Sequence, residues 1–406
     1  MKYLFLTGGS PATVFAFAPL ATALRNAGHT VFVATIKENV PVVEGVGLSP
    51  VDVATMSELE ILSKDGSEDP ERMLDDPVQQ MRLVGRWYGR MARGCMTALT
   101  DLVGQWSPDV IVGGRLTYAG QLLAVRLGTP YVRHPWGLAD WSAYDVGGGE
   151  ELAPELRELG LDRLPLPDMT LDICPPVLLA GRTGPAEPGT PMRWTPANLQ
   201  RHLEPWMYVR GKRPRICVTT GTRVTDEKTF AALGRGSDFL RTLVTTATKL
   251  DAEILVAAPE EVVADLRAEM PEVRAGWIPL DVVAPTCDVI VSHGGTNTSM
   301  VALNAGVPQL NIAKMYISEA QSRLISDFGA GVTVPVGEAS EESVTEACGD
   351  LLNDPRYRRK AQEAAADMAA LPLAAELVGR LEALVADRAH PASRPGLAGQ
   401  RNGEGR

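Results

Sequence analysis

The sequence has no apolar run long enough to cross a membrane. No stretch of about 18 consecutive apolar residues occurs in the 406-residue chain, which excludes a transmembrane helix. The start, MKYLFLTGG, has one lysine and a short apolar run that Gly8 and Gly9 interrupt, so it lacks the longer core of a signal peptide. We therefore expect a cytoplasmic protein without a membrane partner, whose first residues form a buried strand.

Paired cysteines and clustered histidines are missing as well. The five cysteines stand far apart with no C-x-x-C spacing, and the five histidines include no H-E-x-x-H pattern. These spacings exclude a disulfide framework and a zinc site, so we expect no protein-bound metal. Cys217 and Cys287 lie in or beside apolar strands and are predicted to be core residues.

Positive charge is scarce. The chain has 39 Lys and Arg against 50 Asp and Glu, a net charge of −11, and it has no basic cluster longer than the five residues GKRPR at 211–215. Nucleic-acid binding needs a basic surface, so we expect no nucleic-acid partner. The G-x-G-x-x-G fingerprint is also absent, and the opening turn Gly8-Gly9-Ser10 is a weak substitute. A nicotinamide-dependent dehydrogenase is therefore disfavoured.

Apolar strands alternate with helical segments in two parts of the chain. The predicted strands are Lys2–Thr7, Thr30–Thr35, Asp109–Gly113 and Pro130–His134, and then Arg215–Thr220, Glu253–Ala257, Val273–Ile278, Asp288–Ser292 and Pro308–Ile312. Continuous Val- and Ile-rich runs separated by helices are typical of parallel sheets covered on both faces. The pattern predicts an α/β fold with two Rossmann-like halves, and the cleft between them is the default ligand site.

Two segments interrupt this alternation. Residues 57–76 contain eight acids and two bases and predict a solvated loop, while residues 143–198 are rich in Gly and Pro and predict an irregular excursion that leads into the interdomain link. We place an N-terminal domain at 1–200 and a C-terminal domain at 211–372. A last helix is expected at 373–388, and the tail at 389–406 is predicted to be disordered.

The sharpest motif follows the strand that ends at Ser292. Its residues open a helix and are His293, Gly294, Gly295, Thr296, Asn297 and Thr298. Small residues let main-chain N–H groups approach a ligand, and a helix N-terminus offers unpaired N–H groups and the positive end of its dipole. The pattern predicts a pyrophosphate site, with His293 as one further donor. The alternative is that His293 only caps the helix.

This motif also carries a family resemblance. DVIVSHGGTNTSMVALNAGVPQL resembles the signature of family-1 glycosyltransferases, which have the two-domain GT-B fold, and GWIPLDVVAPTCD before it resembles their base-binding strand and turn. TGGSPATVFAFAPLATALRNAGHTVFVAT resembles their N-terminal acceptor domain, and TPYVRHPWG also fits. The likeness covers most of residues 1–385 and is strongest to actinobacterial enzymes that attach deoxysugars to macrolides and aromatic polyketides.

The resemblance implies two parallel sheets facing an interdomain cleft, with the donor, a dTDP-deoxysugar, in the C-terminal half and no separate cofactor. Trp277, Ile278 and Leu280 would flank the base. The diphosphate would be held by His293, Gly294, Gly295, Thr296, Asn297 and Thr298, and approached from the other side by Gly221 and Thr222. The N-terminal half would hold an aromatic or macrolide-type aglycone, with Phe15, Trp136 and Trp141 as candidate walls, and the last helix would cross back onto it.

The implied reaction is an inverting displacement at C1 of the sugar that needs no metal. The start of the helix after Ser292 would stabilise the charge that grows on the leaving diphosphate. The family usually carries its general base, a His or Asp, in the first turn of the first helix, where this sequence has Thr13. A threonine hydroxyl can position an acceptor but cannot act as a base near pH 7. His134 and Asp140, after a strand of the N-terminal half, are the best substitutes.

A second departure concerns the sugar. The family commonly has an Asp/Glu-Gln pair that holds sugar hydroxyls, and the corresponding stretch here runs from Lys314 to Glu319 without the strict pair. Glu319 and Gln321 lie nearby. A deoxysugar offers fewer hydroxyls, so a weaker polar clamp is physically consistent with one.

Several interpretations stay open. In the first interpretation, a residue other than Thr13 is the general base. A carboxylate such as Asp140 would also suit attack by the ortho carbon of a phenol, which gives a C-glycoside. Alternatively, the acceptor ionises readily, or the protein is an auxiliary partner that binds nucleotide sugar or aglycone without transfer, or it performs other GT-B chemistry such as epimerisation of a sugar nucleotide. The sequence does not fix the sugar, the aglycone, the O- or C-linkage or the oligomeric state, a homodimer included.

Overall fold

The structure is a computed structural model that describes residues 1–54, 76–138, 142–179, 189–219, 221, 237–313 and 316–389. Within these ranges the chain forms two parallel sheets. The predicted solvated loop at 57–76 and the predicted tail at 389–406 therefore lie almost wholly outside the described residues. The predicted domain boundary between 200 and 211 falls between the last strand of the first sheet and the first strand of the second.

The first sheet contains the strands of the N-terminal half. In the described part of this half, seven strands pair in the order β3-β2-β1-β4-β5-β6-β7. They are β1 (Lys2–Leu6), β2 (Thr30–Thr35), β3 (Ser49–Asp52), β4 (Val110–Gly113), β5 (Tyr131–Arg133), β6 (Met169–Asp172) and β7 (Thr190–Pro191). The order reverses direction between β1 and β4, which makes that point the topological switch of a Rossmann-like sheet.

The second sheet repeats the same order in the C-terminal half. Its six strands, counted over the described residues, pair as β10-β9-β8-β11-β12-β13. They are β8 (Arg215–Thr219), β9 (Glu253–Ala257), β10 (Arg274–Gly276), β11 (Val289–Ser292), β12 (Gln309–Ala313) and β13 (Gly331–Pro335). The switch point lies between β8 and β11, directly before the glycine-rich motif. The predicted α/β architecture with two Rossmann-like sheets is confirmed.

Helices connect the strands of both sheets. Those of the N-terminal half are α1 (Pro11–Asn26), α2 (Val40–Gly45), α3 (Pro77–Gln105), α4 (Tyr118–Leu127), α5 (Ser142–Glu151), α6 (Ala153–Glu158), α7 (Pro176–Leu179) and α8 (Pro205–Tyr208). Those of the C-terminal half are α9 (Ser237–Ala247), α10 (Glu260–Glu269), α11 (Leu280–Val283), α12 (Thr296–Asn304), α13 (Tyr316–Phe328), α14 (Glu341–Asn353), α15 (Pro355–Ala369) and α16 (Val378–Ala389). Short 3₁₀ helices occur at Lys37–Asn39, Ala284–Thr286, Val336–Glu338 and Ala374–Leu377.

Alternation along β1 shows how one strand supplies two cores. Tyr3 and Phe5 belong to the core on the face covered by α1, whereas Leu4 and Leu6 belong to the core on the face covered by α3 and α4. Successive side chains of a strand point to opposite faces, so a strand buried on both faces must be apolar throughout. Cys217 and Cys287 are fully buried, as predicted.

The irregular excursion predicted at 143–198 is wrong over part of its length. Residues 142–158 form α5 and α6, and this region also supplies β6 and β7. The glycines that suggested a loop serve a close helix contact. A Cβ on Gly147 would lie 2.0 Å from the carbonyl oxygen of Arg82 in α3, and one on Gly85 would lie 2.1 Å from the carbonyl oxygen of Tyr144. Helices that approach this closely have no room for side chains at the contact.

Edge strands were the other features that the sequence did not reveal. β3 and β13 lie at the edges of their sheets, and most of their side chains are only partly buried. An edge strand does not need the continuous apolar run that marks a central strand. The Pro in β3 also weakens its strand signal, although Pro is tolerated at a sheet edge.

The end of the chain returns to the N-terminal half. Arg388 in α16 donates to both carboxylate oxygens of Asp168 at 2.7 Å and to the carbonyl oxygen of Gly128. In the same helix, the Glu382 carboxylate lies 2.9 Å from Nε2 of His29. The return was predicted as one helix, but its first turn, 374–377, is a 3₁₀ helix. Helices of the described residues lack the combined length and hydropathy needed to span a bilayer.

Candidate active site between the two sheets

The carboxyl ends of both sheets carry the polar motifs of the chain. In Rossmann-like sheets, ligands bind outside the carboxyl ends of the strands at the switch point. Gly8 and Thr13 follow β1 at the first switch point, and His293 follows β11 at the second. A direct hydrogen bond joins the two edges, because Nδ2 of Asn297 in α12 donates to the carbonyl oxygen of Ala12 in α1 at 2.8 Å.

His293 is enclosed by glycines. A Cβ on Gly295 would lie 2.4 Å from Nε2 of His293, and a Cβ on Gly221 would lie 2.9 Å from its Cε1. Gly221 follows β8 and has a φ of 81°, a left-handed conformation that suits glycine. The structure thus brings together three of the predicted diphosphate-site residues, from the ends of β8 and β11. Thr222, predicted beside Gly221, lies outside the described residues.

The turn between β11 and α12 is fixed by strand residues. Oγ of Ser292 accepts the N–H of Gly294 at 3.1 Å and lies 3.0 Å from Oδ1 of Asn311 on the neighbouring strand β12. Gly294 has a φ of 74°, and a Cβ there would lie 2.6 Å from the hydroxyl of Ser322. Ser322 was not expected at the site, since it comes from α13 and only the tertiary structure brings it to this turn.

The first turn of α12 presents main-chain N–H groups. Gly295 occupies the N-cap position and has no side chain to accept their hydrogen bonds. Thr296 and Asn297 are half-buried beside it, and Thr298 is buried. The free N–H groups and the positive end of the helix dipole point to the carboxyl edge of the sheet, which suits an anion.

Trp277 is oriented by the segment that links the two halves. Its indole N–H donates to the carbonyl oxygen of Leu199 at 3.2 Å, and its own carbonyl accepts from Arg201 at 2.6 Å. The ring is half-buried, so one part of it is free for a ligand. Of its predicted companions at the base, Ile278 is buried in the core and Leu280 is half-buried at the start of α11.

Glu319 and Gln321 differ in their surroundings. The Glu319 carboxylate pairs with Arg323 one turn along α13, at 2.6 Å, and stays partly exposed. Gln321 is 2% exposed, and its Oε1 accepts the N–H of Leu138 from the N-terminal half at 3.2 Å. Gln321 therefore reaches across the cleft. Lys314 and Met315, earlier in the stretch, lie outside the described residues.

Thr13 is buried against the turn that follows β1. Its hydroxyl donates to the carbonyl oxygen of Ser10 at 2.7 Å, within the first turn of α1. A Cβ on Gly8 would lie 3.5 Å from Cγ2 of Thr13 and 3.6 Å from the ring of Tyr88, so both side chains lie beside Gly8. Tyr88, on α3, had no sequence signal of its own, because the helix carries many apolar residues with the same spacing.

His134 is fully buried at the end of β5. Its Nδ1 lies 2.8 Å from the carbonyl oxygen of Pro135, and its ring packs edge-on against Phe17 with the ring centroids 5.0 Å apart. Burial lowers the pKa of His134 to about 4, so the imidazole is neutral at pH 7. Asp140, the other candidate base, lies outside the described residues.

Two of the three predicted aromatic walls lie among the described residues. Phe15 is buried in the core, and Trp136 covers Gly114 so closely that a Cβ there would lie 2.1 Å from the indole ring. Trp141 lies outside the described residues. A cavity of about 30 Å³ opens at the carboxyl end of the first sheet, between Thr7, Tyr88 and Thr117. It has room for one or two water molecules.

Comparison with known proteins covers both halves of the chain. The family model described as erythromycin biosynthesis protein CIII-like, N-terminal domain, matches residues 22–221, and the model of the corresponding C-terminal domain matches residues 241–384. The chain is 31% identical over 372 residues to the L-demethylnoviosyl transferase of Streptomyces niveus, which covers 91% of this chain and 94% of that protein.

Solved structures resemble the whole fold. The glycosyltransferase SsfS6 of Streptomyces sp. SF2575, in complex with thymidine diphosphate, is 33% identical, has a TM-score of 0.82 and covers 94% of this chain and 99% of its own. The spinosyn rhamnosyltransferase SpnG with thymidine diphosphate is 25% identical, with a TM-score of 0.81 and coverages of 94% and 100%. SpnG has also been solved with spinosyn aglycone.

Proposed function

Because this chain belongs to the erythromycin biosynthesis protein CIII-like family of GT-B glycosyltransferases, we propose that it transfers a deoxysugar from a thymidine diphosphate donor to a polyketide-type aglycone. The resemblance and the GT-B fold expected from the sequence are confirmed. The chain is a glycosyltransferase, and its relatives act in the biosynthesis of natural products. The donor, the acceptor class and the roles of individual residues are our proposal.

The observation that carries the proposal is the glycine-enclosed imidazole at the start of α12. Gly221 and Gly295 leave His293 the space that side chains would fill. The main-chain N–H groups of α12 begin at the same point, at the switch of the second sheet. A diphosphate at this place would accept from these groups and from the imidazole, and the relatives SsfS6 and SpnG were both solved with thymidine diphosphate.

The base of the donor fits beside Trp277. The indole N–H of the ring is held by the carbonyl oxygen of Leu199, and we propose that the half-buried ring stacks on a pyrimidine. Stacking on an aromatic side chain is worth about 1–3 kcal/mol per base. The sugar then extends from the diphosphate toward the N-terminal half, where the acceptor is expected near Thr13 and Tyr88.

The proposed chemistry is a single displacement. A bond forms between an acceptor oxygen, or an aromatic carbon, and C1 of the sugar while the bond from C1 to the diphosphate oxygen breaks. Attack from the face opposite the leaving group inverts C1. The α12 N-terminus and His293 stabilise the charge that develops on the leaving diphosphate, so protein groups supply the stabilisation that a metal would otherwise give.

We propose that the carboxylate of Asp140 is the general base that takes the proton of the acceptor. His134 packs inside the N-terminal half at 0% exposure, so an acceptor cannot reach its ring without a rearrangement. An Asp140→Asn variant that keeps full turnover would remove this residue from the mechanism. A carboxylate base serves either linkage, so the proposal includes O- and C-glycosides.

Thr13 is proposed to position the acceptor. Its hydroxyl proton is committed to the carbonyl of Ser10, which leaves the oxygen lone pairs to accept a hydrogen bond from an acceptor hydroxyl. Thr13→Ala should therefore raise the KM for the acceptor more than it lowers kcat. Loss of turnover with unchanged acceptor affinity would contradict this role.

Titration calorimetry tests the donor site directly. Thymidine diphosphate should bind the wild type and bind His293→Ala at least about tenfold more weakly, since a hydrogen bond to a charged group is worth about 1.5–3 kcal/mol. Absence of binding to the wild type would refute the donor assignment.

A second candidate function is an auxiliary protein that binds nucleotide sugar or aglycone without transfer. The observation that favours it is the committed hydroxyl of Thr13 at the position where the family carries its base. Incubation with dTDP-sugars and polyketide aglycones separates the two functions, because only the transferase releases thymidine diphosphate together with a glycosylated product.

A further inference from the structure

Two carboxamides of the C-terminal half bind main-chain groups of the N-terminal half at the cleft. Nδ2 of Asn297 donates to the carbonyl oxygen of Ala12 at 2.8 Å, and Oε1 of Gln321 accepts the N–H of Leu138 at 3.2 Å. Asn297 joins the first turns of two helices, α12 at the proposed diphosphate and α1 at the proposed acceptor. Other cross-links between the halves, such as those from Arg193 to Leu371 and from Asp367 to Val177, do not involve these two turns.

The orientation of the Asn297 carboxamide follows from its partner. A carbonyl oxygen only accepts hydrogen bonds, so the amide nitrogen of Asn297 must face Ala12 and Oδ1 must face away. That Oδ1 is buried and has no hydrogen-bond partner among the described residues. An oxygen cannot donate to a diphosphate, and one N–H of the amide is already committed to Ala12. In this geometry the side chain is better suited to joining the halves than to holding phosphate.

We propose that Asn297 is a positioning residue that transmits donor binding to α1. The inference rests on the proposed function, because it takes the diphosphate to lie at the start of α12. A diphosphate held by the first N–H groups of α12 restricts the motion of that turn. Asn297 belongs to the same turn, so its hydrogen bond passes the restriction to Ala12 and to the adjacent Thr13. The acceptor position is thereby ordered when the donor is present.

The hydrogen bond also sets the relative position of the two helices. Asn297 and Ala12 are 285 residues apart in sequence, and each lies in the first turn of its helix. A carboxamide has the reach to span from one helix to the other, whereas Ala or Ser at this position would fall short. The sugar attached to the diphosphate would then face Thr13 at one defined distance.

Hydrogen–deuterium exchange with thymidine diphosphate as the probe tests the inference. In the wild type, the nucleotide should slow exchange in the peptide that covers the first turns of α1, by about fivefold, the factor that one hydrogen bond of about 1 kcal/mol gives. In Asn297→Ala, affinity for the nucleotide should stay within about twofold of the wild type, while the slowing in α1 disappears. Asn297→Leu, which keeps the side-chain volume, should behave like the alanine variant.

Asn304→Ala is the matched control, because it removes the same side chain from the other end of α12. It should leave both the nucleotide affinity and the slowing in α1 unchanged. Weakening of nucleotide binding in Asn297→Ala to the level of His293→Ala would overturn the inference, since Asn297 would then be a phosphate ligand. The inference would also be overturned if the nucleotide still slowed exchange in α1 in both Asn297→Ala and Asn297→Leu. The same holds if a wild type that binds the nucleotide showed no slowing in α1. A wild type that does not bind the nucleotide would refute the proposed donor site itself.

Discussion

The imidazole of His293 occupies the space that a side chain on Gly295 would need. A Cβ at position 295 would lie 2.4 Å from Nε2 of His293, closer than any van der Waals contact allows. A Cβ on Gly221, which follows the neighbouring strand β8, would lie 2.9 Å from Cε1 of the same ring. The glycine of the motif is therefore a steric requirement of the histidine two residues before it.

Gly295→Ala should displace His293 and weaken thymidine diphosphate binding. We expect a loss of at least about tenfold in affinity, because the imidazole loses its alignment and the added methyl group covers part of the N–H groups of α12. Calorimetry measures the change. Gly349→Ala is the control, since a Cβ there meets open space in α14 and should leave binding unaltered. Equal affinity for the wild type and Gly295→Ala would show that the ligand does not use this turn.

The buried imidazole of His134 should make folding stability depend on pH. Its pKa is lowered from 6.5 to about 4 by burial. Between these pH values, His134 carries a proton in the unfolded chain but not in the folded chain. This difference lowers the free energy of unfolding as the pH falls from 6.5 toward 4, and it has no effect above pH 6.5. The loss at the lower end is about 3 kcal/mol.

Urea unfolding over this pH range measures the effect. His134→Asn retains an amide donor for the carbonyl of Pro135 but does not titrate, so its stability should fall less steeply on acidification than that of the wild type. Carboxylates contribute equally to both proteins and cancel in the comparison. Parallel pH profiles for the two proteins would contradict the lowered pKa.

The ion pair between Arg388 and Asp168 should stabilise the return of the chain to the N-terminal half. Both oxygens of Asp168 accept from Arg388 at 2.7 Å, and Oδ2 also accepts the N–H of Tyr131 at 2.9 Å. Both side chains are a little under a third exposed, so solvent screens the pair and we expect Arg388→Ala to cost about 1 kcal/mol. Chemical denaturation and exchange of α16 amides report the loss.

Arg356→Ala provides the comparison for this pair. Arg356 forms an ion pair with Asp354 at the start of α15 and is highly exposed, so its removal should change stability little. If the two alanine variants unfold at the same urea concentration, the contact at Arg388 contributes nothing beyond an ordinary surface pair.

The helix contact between α3 and α5 should tolerate no side chain at Gly147. A Cβ there would lie 2.0 Å from a main-chain oxygen, that of Arg82, so Gly147→Ala must push the helices apart and should destabilise the fold by about 3 kcal/mol. Gly149→Ala, two residues along the same helix, meets only Leu164 at 3.8 Å and should be neutral or stabilising by about 0.5 kcal/mol. Thermal unfolding of Gly147→Ala and Gly149→Ala measures the difference in stability. Similar melting temperatures for the two variants would refute the close contact.

Central strands and the glycine motif could be predicted from the sequence because their signals are local. β2 and β9 have the bounds expected from their apolar runs and flanking residues. β11 and α12 fall directly before and within the motif that begins at His293. The failures have the opposite character. The Gly-rich α5 was expected to be a loop, since the sequence of a helix does not show that a second helix will lie against it.

The sequence by itself determined the two Rossmann-like sheets, the position of the glycine motif at a strand end and the family to which the chain belongs. Apolar periodicity and a strand–turn–helix motif are properties of neighbouring residues, so they can be read without a fold. Tertiary structure alone decided that Asn297 reaches Ala12, that Gln321 reaches Leu138 and that Trp277 is held by Leu199, pairs separated by 285, 183 and 78 residues. Such contacts arise from the way the sheets and their connecting segments pack. The local sequence around each residue therefore does not identify its distant partner.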